Sequence, residues 1–242
     1  MQDNNSFLDL IRSNITNYGY HITTVNSDTE PSYSYSIGLS NTLGYELVFA
    51  GGYSYLHNDI LLIFNDIVNS LINSKNNPKD RFKVNGLGEF SLNLIHESWV
   101  INMLLGAIHF FKNKEIKAYQ IIPDKDKFSL EIPNMSIEFT PKKFPIWKWL
   151  VNNWDLNVPK NSTVTTNLKA LYGEKITEVM RWEIDNWEMF AGNGTEVEES
   201  DIRIVPIGVI IGIDDSILPA LNLDIEKGLW RDISDLEWNA WG

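Results

Sequence analysis

Between Leu56 and Lys75 the chain reads LHNDILLIFNDIVNSLINSK, with apolar side chains at Leu56, Ile60, Ile63, Phe64, Ile67, Leu71 and Ile72. They recur every three or four residues, while asparagine and aspartate fill the positions between. That spacing predicts an amphipathic helix, and a helix with one apolar face must be laid against something. Its neighbours in sequence are β-prone: Tyr20 to Val25, Tyr33 to Leu39 and Tyr45 to Gly51 are short runs separated by turn-rich stretches such as NSDTEPS. Helices packed on a sheet follow.

Other elements agree with this. NSFLDLIRSNITNYGY carries Phe7, Leu8, Ile11 and Ile15 at helical spacing, with Gly19 placed to end the helix. SWVINMLLGAIHFFKNK predicts another helix, with Trp99, Met103, Ala107, Phe110 and Phe111 facing inward. RFKVNGLGEFSLNLIHE reads as strand and turn, and KAYQIIP as a buried strand that stops at Pro123 and Asp124. Gly38 and Gly44 are placed to bracket a tight turn between two strands, since glycine accepts positive φ and close backbone approach. Tyr33 and Tyr35 fall on one face by the two-residue period, with Ile37 beside them.

Beyond Pro141 the texture changes. Pro141, Pro145, Pro159 and the polar KNSTVTTN predict a linker over 141–167, between an N-terminal α+β domain (1–140) and a C-terminal domain (168–242). In the latter, Trp182, Ile184, Trp187 and Met189 or Phe190 are expected to line one face of a hairpin turning at Asp185 and Asn186. IRIVPIGVIIGID alternates Val205, Ile207, Val209, Ile211 and Ile213 and reads as a strand, at an edge or bulge because of Pro206. The fold class expected is α+β: a mixed sheet with packed helices, followed by a smaller, mainly β domain.

A chain of 242 residues that is 43% hydrophobic can bury an ordinary core. It contains no cysteine, which removes disulfides, thiolate metal sites and thiol nucleophiles. MQDNNSFLDLIRSNI opens with polar residues and does not resemble a signal peptide, and no apolar run approaches a membrane span, so a cytoplasmic protein without membrane contact is expected. The net charge of −12 is uneven: from Pro159 onward there are 16 acidic and 7 basic residues, against 16 and 13 before it. A negative field of that kind repels phosphate backbones and speeds encounter with a cationic partner. Nucleic acid is therefore not an expected partner.

No motif for catalysis is present. His21, His57, His96 and His109 show no helical metal-ligand spacing, and there is neither a nucleophile elbow nor a phosphate loop, so no metal, cofactor or catalytic residue is assigned. Glu46, Glu131, Asp124 and Asp126 are the carboxylates from which an acid and base pair would be drawn. Of nine tryptophans, Trp182, Trp187, Trp230, Trp238 and Trp241 fall in the C-terminal part, where they serve either the core or an aromatic recognition surface.

Four separated elements, in order, make residues 5–135 resemble the bacterial family known as domain of unknown function 4262. They are YGYH at Tyr18 to His21, Tyr35 to Leu39, a glycine-to-glutamate element at Gly44 to Glu46, and Gln120 to Asp124. Where family members usually have Gly-His-Pro-Glu, this chain has Gly44, Tyr45 and Glu46 and lacks the histidine and the proline. The C-terminal part resembles a small module found among immunity proteins of toxin systems. The matching elements are Trp187 to Gly192, Asp215 to Leu218, Leu223 to Arg231, and Trp238.

Three functional expectations result. The first is a binding protein, immunity- or antitoxin-like, whose C-terminal domain covers a basic toxin with Trp182, Trp187, Asp214, Asp215, Trp230 and Trp238. The second is an enzyme of unknown reaction with its site in the N-terminal domain, where His21, Tyr35, Gly38, Glu46, Gln120 and Asp124 form the candidate pocket. An accessory domain that binds a small ligand or pairs with itself is the third, blander expectation.

Overall fold

The structure is a computed structural model that describes residues 2–73, 77–112 and 115–241. Its chain divides into two compact units. The first comprises residues 1–25, 32–128 and 132–139, and the second comprises 140–242 together with two short segments, 26–31 and 129–131.

The first unit runs α1 (Gln2–Tyr18), β1 (His21–Val25), β2 (Tyr33–Ile37), β3 (Glu46–Ala50), α2 (His57–Asn73), β4 (Phe82–Val84), β5 (Gly88–Leu94), α3 (Glu97–Met103), α4 (Leu105–Phe110) and β6 (Ala118–Pro123). Its six strands lie in the order β1-β2-β3-β6-β5-β4. All neighbours are antiparallel except β3 and β6, whose parallel pairing sets Glu46 beside Ala118 and Val48 beside Gln120.

The predicted apolar stripe of α2 is what covers the sheet. Ile63, Phe64, Ile67, Val68 and Leu71 are buried in one cluster with Leu47, Phe49, Phe90, Leu92 and Ile121, the residues that alternate onto one sheet face. The ends of the stripe, Leu56 and Ile72, stay exposed.

On the opposite face the expected single helix after Ser98 is two. The Tyr33 hydroxyl donates to the Met103 carbonyl at 3.2 Å, and the Gly106 N–H donates to the Tyr35 hydroxyl at 3.0 Å. In an unbroken helix that N–H would bond the carbonyl four residues back. The tyrosine takes it instead, and Gly106 has no Cβ to collide with the ring: one built there would sit 2.6 Å from the hydroxyl.

Gly38 and Gly44 have φ of 116° and 81° and bracket the turn between β2 and β3, as expected. A Cβ on Gly38 would stand 2.8 Å from Ile15 of α1, whereas Gly44 faces open space. Gly38→Ala is therefore expected to destabilise by about 2 kcal/mol, through strain plus collision. Gly44→Ala, with backbone strain alone, is expected to cost about 1 kcal/mol. Thermal denaturation of the two variants checks the difference.

The second unit contains β7 (Thr163–Asn167), α5 (Leu168–Leu171), β8 (Glu178–Arg181), β9 (Asn186–Phe190), β10 (Ile202–Pro206), α6 (Ile207–Ile213), β11 (Lys227–Trp230) and β12 (Asn239–Ala240), with 3-10 turns at Pro145–Leu150 and Asp215–Asn222. The strands lie in the order β10-β7-β9-β8-β11-β12, with only β7 and β9 parallel. One sheet face is closed: Val164, Val179, Trp187, Met189 and Val205 are buried. The other face, with Thr165, Glu178, Met180, Glu188 and Ile204, is open to varying degrees.

Three expectations change here. Residues 141–167 are not a featureless linker, because Trp147 and Trp149 are buried and Thr163–Asn167 is a strand between two others. The run after Pro206 is a helix, not a strand. Gly208 and Gly212, four residues apart, share one face of it, and a Cβ on either would overlap the Thr29 carbonyl or the backbone of Ile146. In the hairpin, Trp187 and Met189 do point inward, but Trp182 and Ile184 lie in the connecting turn and are exposed.

Candidate functional site

In the first unit the sequence singles out Glu46, and the structure buries it completely. Its Oε1 accepts from the N–H groups of Gly38 at 3.0 Å and Ser40 at 2.9 Å. Its Oε2 accepts from the Ser36 hydroxyl at 2.5 Å and the Leu39 N–H at 3.3 Å. Ser36 accepts in turn from the Leu47 N–H at 2.8 Å. Burial pushes the Glu46 pKa up, and the hydrogen bonds from Ser36, Ser40 and Gly38 oppose that rise. Every lone-pair direction is thus occupied by the turn that Glu46 closes, and the carboxylate has no face left for a substrate.

The remaining N-terminal candidates do not gather around it. Gln120 is buried and holds the segment after it, donating to the Pro133 carbonyl at 2.8 Å and accepting from the Met135 N–H at 3.2 Å. Tyr35 pairs with Val48 and Val48 with Gln120, so Tyr35 and Gln120 stand two strands apart, about 10 Å. Burial pushes the Tyr35 hydroxyl up in pKa, with the Gly106 N–H opposing. Asp124 lies at the strand end in an exposed ion pair with Arg81.

His21 belongs to a different place, a cleft of about 490 Å³ lined by Asn14, Tyr18, Tyr20, Ile22, Asn65 and Asn69. The Asn14 amide lies 2.8 Å from His21 Nδ1, and burial lowers the histidine pKa. The Tyr20 hydroxyl donates to Asn65, and burial pushes its pKa up to about 12. At neutral pH the cleft is therefore lined by neutral hydrogen-bonding groups. Among the described residues no group of three or more His, Asp or Glu could hold a metal ion, and no helix is long and apolar enough to cross a membrane.

In the second unit two of the expected contact residues serve the interior. Trp187 is buried beneath the Arg181 guanidinium, 4.8 Å from its ring centroid. Asp214 is 1% exposed and accepts from Arg231 at 3.0 Å, Lys175 at 2.8 Å, the Ile176 N–H at 3.1 Å, and Ser216. Arg231, equally buried, also donates to the Ile176 carbonyl at 2.6 Å and stacks 4.2 Å from the Trp238 ring centroid. Residues 175–176, 214–216, 231 and 238 are thereby stapled together. Asp214 and Trp187, both enclosed, cannot meet a partner at the surface, whereas Trp238 is half-buried.

Trp182, Trp230 and Asp215 are exposed, as a contact role requires. Trp182 and Trp241 line a groove of about 500 Å³ on the open sheet face, with Thr165, Met180, Glu188, Phe190 and Ile202. Trp241 lies over Gly228 and against Met180, a position that a Cβ on Gly228 would block. Sequence reasoning passed over Glu188. The available signal was the two-residue alternation in Asn186-Trp187-Glu188-Met189, which puts Glu188 on the face opposite the buried Trp187.

The chain matches no curated protein and no solved structure. The N-terminal half, from within α1 to just past β6, matches over residues 14–128 the model of the family described as Domain of unknown function (DUF4262).

Proposed function

We propose that this chain is a binding protein of the immunity or antitoxin kind, which neutralises a basic toxin through the acidic, aromatic surface of its C-terminal unit. The observation that carries this reading is the open face of the second sheet, where exposed Trp182 and Trp241 line one groove with Thr195, the residue at which the acidic stretch containing Glu196, Glu198, Glu199 and Asp201 begins. Tryptophan supplies binding energy at interfaces, and a one-signed field steers a cationic partner. The −9 balance beyond Pro159 adds to that field.

The enzyme reading has less support, because the polar atoms of Glu46 and Gln120 are already engaged by the protein itself. The cleft at His21 favours small-ligand binding as the secondary role of the first unit.

The test is co-expression with the products of the neighbouring genes. A toxic, basic product should lose its toxicity and form a complex whose affinity falls at least about tenfold between low and moderate salt. Neighbours that are neither toxic nor bound would overturn the reading.

A further inference from the structure

Glu188 stands in the middle of β9, opposite Met180 on one side and Thr165 on the other. Among the described residues it takes part in no ion pair, and no lysine, arginine or histidine lines the groove it enters. The nearby Arg181 alternates onto the other sheet face, where the Leu223 carbonyl and the Trp187 ring hold it. A half-buried carboxylate among apolar side chains without a counter-charge is an unfavourable arrangement. It becomes favourable when a cation arrives with its own apolar body.

The walls fit such a guest. Indole faces attract cations through their π electrons, and Trp182 and Trp241, 46% and 45% exposed, offer two. Met180, Phe190 and Ile202 supply apolar surface for an alkyl stem. Glu178, on the same face, is partly engaged by the Gly194 N–H at 2.8 Å, which leaves Glu188 as the free counter-ion.

We propose that this groove receives one basic side chain of the partner protein, an arginine or a lysine, with its charged head on Glu188 and its stem along Met180, Phe190 and Ile202. The proposal rests on the binding reading above and narrows it to one pocket. Charge complementarity decides the occupant: a neutral apolar segment would bury Glu188 uncompensated, whereas a basic side chain neutralises it.

The test uses the full chain and three probes: the capped tripeptide acetyl-Leu-Arg-Leu-amide, its citrulline counterpart, and choline. Binding is followed by the indole N–H resonances of Trp182 and Trp241. The arginine peptide should shift both and the citrulline peptide neither. Glu188→Gln should weaken the arginine peptide at least tenfold while melting no lower than the parent. Asp224→Asn, which removes an exposed charge outside the groove, should weaken it less than twofold. Unchanged affinity in Glu188→Gln overturns the proposal, and so does choline binding more tightly than the peptide.

The two readings fail separately. A toxin bound equally well by Glu188→Gln removes the groove and leaves the function. Peptide binding in the groove, with no basic protein partner among the neighbouring gene products, removes the function and leaves the site.

Discussion

Replacing Asp214 by alanine is expected to destabilise the C-terminal unit by about 3–5 kcal/mol, the loss that follows when one partner of a buried ion pair is left charged and alone. Arg231 would keep its carbonyl partners but lose its counter-charge at a position 1% exposed. Lys175, which is 42% exposed, is the internal control. Lys175→Met should cost no more than about 1 kcal/mol, as screened pairs do. The double variant Asp214→Ala, Arg231→Met should be less harmful than the sum of the two changes, because the apolar pair leaves no buried charge behind. Urea denaturation followed by tryptophan fluorescence measures the wild type, the single variants Asp214→Ala, Arg231→Met and Lys175→Met, and the double variant.

The same residue makes an acid-sensitive contribution. Burial alone would raise the Asp214 pKa, but the hydrogen bonds from Lys175, Ser216 and Ile176 and the Lys175 charge outweigh it, so it lies below the usual 3.8. A depressed folded pKa stabilises above the unfolded value, and that stabilisation is lost as the pH falls through the folded one. Below pH 3.8 the wild type should therefore lose stability faster than Asp214→Asn.

Glu46→Gln is expected to destabilise the N-terminal unit by about 3 kcal/mol, because an amide nitrogen would face donors on whichever side it lies. Three N–H groups and the Ser36 hydroxyl now converge on the two oxygens. The pH response has the opposite sign to that of Asp214. With the folded pKa raised by burial above 4.5, the contribution is complete below pH 4.5 and diminishes as the pH rises through the folded value. The advantage of wild type over Glu46→Gln should accordingly be greatest in mild acid, and melting temperatures across pH 4 to 8 check this. A catalytic Glu46 would instead give a Gln variant that melts normally and has lost an activity.

Much of the first unit was legible because its signals are local. The α2 stripe, the Gly19 stop, the two glycines of the β2–β3 turn and the strand-turn-strand at Phe82–Leu94 each follow from spacing or backbone chemistry over a few residues. α6 was misread because it is apolar on nearly all sides. A buried helix loses the polar face that distinguishes it from a strand, and only Gly208 and Gly212 betray it. The stretch 141–167 was misread because its prolines suggested a tether, while Trp147 and Trp149 pointed to burial.

Site residues were harder still. The sequence shows that Glu46 and Asp214 are acidic but not that each is enclosed by donors, and enclosure decides between structural and functional use. Ser216, Arg231 and Trp238, which fall in the C-terminal pattern singled out in the sequence, are joined through the Asp214 staple, so what that pattern marks is a way of closing a fold.

The composition of the second unit has a bearing on how the protein is made and dissected. Glu131 gives its carbonyl to the Trp147 indole, Leu130 gives its N–H to Leu171, and Thr29 sits against Gly208. A polypeptide emerging from the ribosome has thus already delivered two pieces of that unit long before the bulk of it is translated. A fragment beginning at Thr140 would come without them, and supplying them as peptides becomes a complementation assay for the integrity of the unit.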